Sequence, residues 1–236
     1  MEEMSGKESN ESGGSGSGVE PSGPPWEDPQ AGELVQRTWD TIVLGVSRPR
    51  ELFENMRTTG GMLQPLLFYA AVVGSAAVAS WFLQLPIQLI GGTSVAELMI
   101  WLVFMLVLLP FLLPIGLFIS AGLTHLGLMI FGGAGRPFEA TFRANAHAYP
   151  FEATFRVNAY AYGTVGWIGA VPICGGFLYM IWGIVLQIMG IARVHEISTG
   201  KAVAAVLVPL FTIILFFTCV AGVFVAVVFE GLSRSF

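Results

Sequence analysis

The sequence predicts an all-α protein, a polytopic transmembrane bundle of five spans, and three observations carry that prediction. Hydrophobic residues make up 54% of the chain and charged residues 11%, about half the charged share of a soluble domain. The apolar residues gather into long runs separated by glycine pairs (Gly60-Gly61, Gly91-Gly92, Gly132-Gly133 and Gly175-Gly176), each the mark of a turn or helix end. Charge is segregated as well: residues 1–60 hold 11 acids and five bases, whereas residues 61–236 hold five acids and six bases. With no basic stripe to neutralise phosphates, nucleic-acid binding is not expected.

Residues 1–32 are acidic and rich in Ser, Gly and Pro, and they contain no apolar core that could form a cleaved signal peptide. Such a composition has little to bury against the entropy of ordering, so this stretch is expected to be a disordered arm. From Glu33 the pattern changes. Val35, Trp39, Ile42, Val43 and Val46 recur at helical spacing, which predicts an amphipathic helix. A second short helix is expected to follow at PRELFENM, opened by Pro49. Residues 33–60 are therefore expected to form cytoplasmic interfacial helices, with Arg48, Arg50 and Arg57 among lipid headgroups. The same faces could instead pack on the protein itself.

Residues 61–236 are expected to form the membrane domain. Spans are placed at about 63–88, 97–130, 151–172, 175–193 and 202–229, each close to or above the roughly 20 residues needed to cross hydrocarbon. Pro110 and Pro114 leave no polar loop inside the second run, so one long kinked helix is preferred over two. Lys and Arg fall in the segments before span 1, between spans 2 and 3, and between spans 4 and 5; residues 89–96 and 173–174 carry none. The positive-inside rule then sets the N-terminus in the cytoplasm and the C-terminus outside. In the first span Ala71, Ser75 and Ala79 form a small-xxx-small face suited to close packing within the chain.

Residues 137–162 repeat one thirteen-residue phrase, PFEATFRANAHAY followed by PFEATFRVNAYAY, matching at 11 of 13 positions. Thirteen residues turn a helix by about 220° and advance it by roughly 20 Å, so the two copies cannot serve the same purpose in one helix. Only the second runs straight into an apolar stretch and is expected to open the third span. The first is expected to lie on the cytoplasmic face as an inserted amphipathic helix. Within the second copy, Glu152, Arg156, Asn158, Tyr160 and Tyr162 form a candidate polar cluster where that span begins. The expectation is that Glu152 pairs with Arg156 four residues on and that Arg156 snorkels to the headgroups. Either the cluster acts in function or the pair simply orients the helix.

Catalytic chemistry finds few candidates. No Asp follows Asp40, and His125, His147 and His195 fall on different segments without ligand spacing. No catalytic residue, metal site or cofactor is therefore assigned, and the chain is not expected to be an enzyme. Cys174 and Cys219 make no disulfide framework and are read as free thiols.

The order of parts resembles the Yip1 domain family, particularly its bacterial branch. The residues that carry this are PPWE in the arm, SRPRELFENM, GGMLQPLLF at the first span, FEATFRVNAYAY, and above all IWGIVLQIMGIARVHEISTGKA. The resemblance spans about residues 39–229 and implies a five-span helical bundle with a cytosolic N-terminus, here in a bacterial inner membrane. Eukaryotic members act in vesicle traffic and bind prenylated Rab-type GTPases through an arm with a DLYGP-like motif. That motif does not occur here, and GTPase binding is not expected. Two function classes follow: a non-enzymatic membrane adaptor or organiser that meets the bilayer and other membrane proteins or itself, and a small-solute or ion transporter or channel.

Overall fold

A computed structural model describes residues 23–131 and 150–233. The first copy of the repeat lies outside the described residues, as do residues 1–22. The described chain is all-helical: α1 Leu34–Ser47, α2 Pro49–Glu54, α3 Leu63–Ile90, α4 Val95–Phe131, α5 Phe151–Thr164, α6 Gly175–Val194 and α7 Thr199–Ser233. Short 3-10 turns occupy Pro25–Glu27, Pro29–Ala31 and Gly166–Ala170.

Among the described residues four helices are long and apolar enough to cross a membrane: Leu63–Ile90, Val95–Phe131, Gly175–Val194 and Thr199–Gly222. The second is one helix with Pro110 and Pro114 inside it. The expected span over 151–172 differs from the other four. Its α-helix stops at Thr164 after 14 residues, about 21 Å of rise against a hydrocarbon core of about 30 Å, and the chain continues as the 3-10 turn Gly166–Ala170. This short helix is also the most enclosed of the described helices. Every residue from Ala153 to Ala161 is buried, whereas α4, and α7 over its described side chains, leave most of their large apolar side chains exposed, as lipid-facing helices must.

The arm is ordered further forward than its composition suggests. Trp26 is buried, packs its ring 5.6 Å from that of Phe68, and donates from its indole Nε1 to the Gln64 carbonyl at 2.8 Å. Its backbone N–H donates to Thr41 Oγ1 at 2.8 Å. One large aromatic with both N–H groups satisfied offsets the entropy of ordering the adjacent Pro-rich turns. Residues 25–31 thus belong to the folded unit rather than to a disordered arm.

In α1 it is Thr41 and Gly45 that turn inward, while Val35, Trp39, Val43 and Val46 are exposed. Gly45 is required by the close approach: a Cβ there would stand 2.4 Å from Thr164 Cγ2. In α3 the buried face is Phe68, Val72, Gly74 and Ala76. Ala71 and Ser75 are exposed and Ala79 is half-buried, so the small-xxx-small face does not supply the expected packing within the chain.

Candidate functional site

Each face of α5 meets a different neighbour. Gly163 lies against Phe68 of α3, Ser120 of α4 bonds Asn158, and Val157 and Tyr162 lie against Gly190 and Gly183 of α6. The remaining face carries Arg156, Tyr160 and Thr164, and it is covered by the N-terminal turns and α1.

Arg156 is 1% exposed and each of its three nitrogens is hydrogen-bonded. Its Nη2 bonds both carboxylate oxygens of Glu27, its Nε donates to the Arg57 carbonyl at 2.6 Å, and its Nη1 donates to the Gly61 carbonyl at 2.8 Å. The Tyr160 hydroxyl donates to Glu27 Oε1 at 2.5 Å. Arg156 therefore neither pairs with Glu152 nor snorkels to the surface. Glu152 instead accepts the Gly61 N–H at 2.6 Å. Glu152 stands one turn back on the same row of α5, but its carboxylate is turned to the Gly61 N–H, and the counter-charge that covers Arg156 and Tyr160 is Glu27, whose side chain is only 6% exposed.

A second, uncharged network ties α5 to α4 and α6. Asn158 Oδ1 accepts from Ser120 Oγ at 2.9 Å and from Gln187 Nε2 at 2.7 Å, and its Nδ2 donates to the Thr154 carbonyl at 2.8 Å. Gln187 Nε2 also reaches Thr124 Oγ1 at 2.8 Å, and the Tyr162 hydroxyl donates to Gln187 Oε1 at 3.1 Å. At the end of the bundle where α5 begins, Thr154 Oγ1 lies 3.0 Å from His195 Nε2 and 3.4 Å from His125 Nδ1. Burial, and then the His125 charge, hold the His195 imidazole down to about 4, so it is neutral at neutral pH. Among the described residues no group of three or more His, Cys, Asp or Glu could hold a metal ion.

The three arginines expected at headgroups fall in different settings. Arg48 is exposed and pairs with Glu51 at 2.8 Å. Arg50 is exposed at the edge of a cavity between α2, α6 and α7. Arg57 is exposed, and its carbonyl is spent on Arg156.

The Yip1 domain matches residues 44–221. The chain belongs to the Yip1 domain family. No curated protein and no solved structure matches this chain. The Yip1 match and the apolar helices together make this a multi-pass membrane protein. The matched residues include Arg156, Tyr160 and the Asn158–Gln187 network but begin beyond Trp26 and Glu27. In this Yip1 protein the counter-ion of the most buried charge thus comes from outside the matched region. Sequence reasoning missed Glu27 because the acid four residues before Arg156 offered a nearer partner. The available signal was Trp26, a large aromatic in a stretch otherwise without apolar bulk.

Proposed function

We propose that this Yip1 protein is a non-enzymatic membrane adaptor or organiser with a cytoplasmic N-terminus, in a bacterial inner membrane. The observation that supports this is how its interior polar groups are used. The donors of Arg156 and the amides of Asn158 and Gln187 go to the chain's own N-terminal segment and helices, while the apolar stripe of α1 stays exposed, Val35 at 79% and Trp39 at 61%. The bundle acts as a rigid platform that fixes α1 and α2, and the exposed stripe meets lipid and neighbouring membrane proteins. The segregation of Lys and Arg supports the orientation.

The test places a photo-crosslinking residue at Val35 or Val43 in native membranes. The expected result is adducts with lipid and with a reproducible set of membrane proteins; adducts with water-soluble proteins alone would discard the reading. A second reading, passage of a small solute, has one observation in its favour. A cavity of about 60 Å³ lies beside the polar network, lined in part by Ser120, Thr124, Tyr162 and Gln187, with room for about two waters. Ion or solute flux through reconstituted protein above that of empty vesicles would favour it.

A further inference from the structure

α2, the last turns of α6 and the start of α7 enclose an open cavity of about 450 Å³. Its wall is apolar, formed by Phe53, Met189 and Ala192. Its edge is charged. Arg193 bonds Glu54 at 2.8 Å, with about half of each side chain in solvent, and this pair cancels. Arg50 is exposed and makes no ion pair among the described residues. The cavity therefore presents one uncompensated positive charge directly beside an apolar wall.

We infer that this cavity binds the phosphodiester headgroup of an anionic phospholipid from the adjoining leaflet. Arg50 and Arg193 donate to the phosphate oxygens, and the start of an acyl chain covers Phe53 and Met189. The charge fits, since one free guanidinium matches the single negative charge of a phosphodiester. The apolar wall selects a lipid over a soluble phosphate, because a soluble ion would leave that wall against water. The two longer helices that form the cavity, α6 and α7, are both membrane-crossing by length and composition, which brings a leaflet to its edge. This inference stands apart from the adaptor reading: a bundle that retains the lipid but crosslinks to no membrane protein would keep the first and discard the second.

The test uses the full chain purified in detergent, with retained lipid measured by native mass spectrometry after incubation with phosphatidylglycerol or phosphatidylcholine. Phosphatidylglycerol should be retained about fivefold over phosphatidylcholine, the effect of one cation near a membrane surface. Arg50→Gln should remove that preference. Arg50→Lys should keep it, and Arg48→Gln, which lies outside the cavity, should leave it unchanged. Equal retention of the two lipids overturns the inference, as does a loss of preference in Arg50→Lys as large as in Arg50→Gln. Displacement of phosphatidylglycerol by glycerol 3-phosphate overturns it in favour of a soluble phosphate site.

Discussion

A guanidinium enclosed as Arg156 is persists only with its counter-charge and hydrogen bonds in place, because removing one partner leaves the other charged and unsolvated. Glu27→Ala strands Arg156 and leaves the Tyr160 hydroxyl without its acceptor; Arg156→Leu strands Glu27 and two carbonyls. Each change should cost about 3–5 kcal/mol, read as a lowered thermal midpoint in detergent. The double variant should lose clearly less than the sum of the two, since the first change already removes the shared bond; strict additivity would mean that the two side chains do not act as a pair. His195 gives a residue-level dependence on pH. Its folded pKa is about 4, below the unfolded value of about 6.5, so the unfolded chain takes up the proton first as pH falls. Stability from this group is intact above about pH 6.5 and declines by up to about 1.4 kcal/mol per pH unit toward pH 4, where the folded protein also protonates. Thermal midpoints across that range should fall more steeply for the parent than for His195→Gln, and parallel slopes would refute the assignment.

Among helix pairs, α4 and α7 share the most extensive contact of the described residues, and Gly127 makes it possible. A Cβ at that position would lie 2.1 Å from the Ala205 carbonyl oxygen, and backbone on both sides cannot yield as a side chain can. Gly127→Val should therefore cost on the order of 2–4 kcal/mol, whereas Gly122→Val, where a Cβ meets open space, should be well tolerated; similar thermal midpoints for the two variants would contradict the close approach. Deleting residues 137–149 joins Arg136 to the second copy of the repeat and keeps every residue named above in contact with α5, so the shortened protein should insert and unfold at the parent's temperature. The long elements were legible in the sequence because lipid-facing helices are apolar all round and need no partner to be recognised. α5 was harder to read. Its polar residues face four different neighbours, and those directions follow from tertiary packing rather than from spacing along one helix. The inward face of α1 was hidden for a related reason: the helix packs through Thr41 and Gly45, which lie off the apolar stripe and carry no hydrophobic signal of their own.

At the scale of the whole molecule the number of crossings decides whether the two ends of the chain share a side of the membrane. Among the described residues four helices are long and apolar enough, which by itself would put the two ends of the described chain on one side. The path of α5 argues for a fifth crossing. Thr154 lies at His195, Val157 at Gly190, Tyr162 at Gly183, and Gly169 at Tyr179, so the segment from α5 through the 3-10 turn runs antiparallel to α6 along nearly its whole length. Fourteen α-helical residues followed by five in a 3-10 turn rise about 31 Å, the thickness of the hydrocarbon core. Its polar side chains are tolerated at that depth because protein rather than lipid surrounds them. The chain should then cross five times, with its ends on opposite sides. Reporter fusions truncated after Gly92, Cys174 and Gly200 should place the first two on one side of the membrane and the third on the other, and a fusion at the C-terminus should return to the side of Gly92. If the C-terminal fusion instead reports from the side of Gly200, α7 does not cross. If Gly92 and Cys174 report from different sides, residues 151–170 enter the membrane and turn back, and the bundle has four crossings around a re-entrant core.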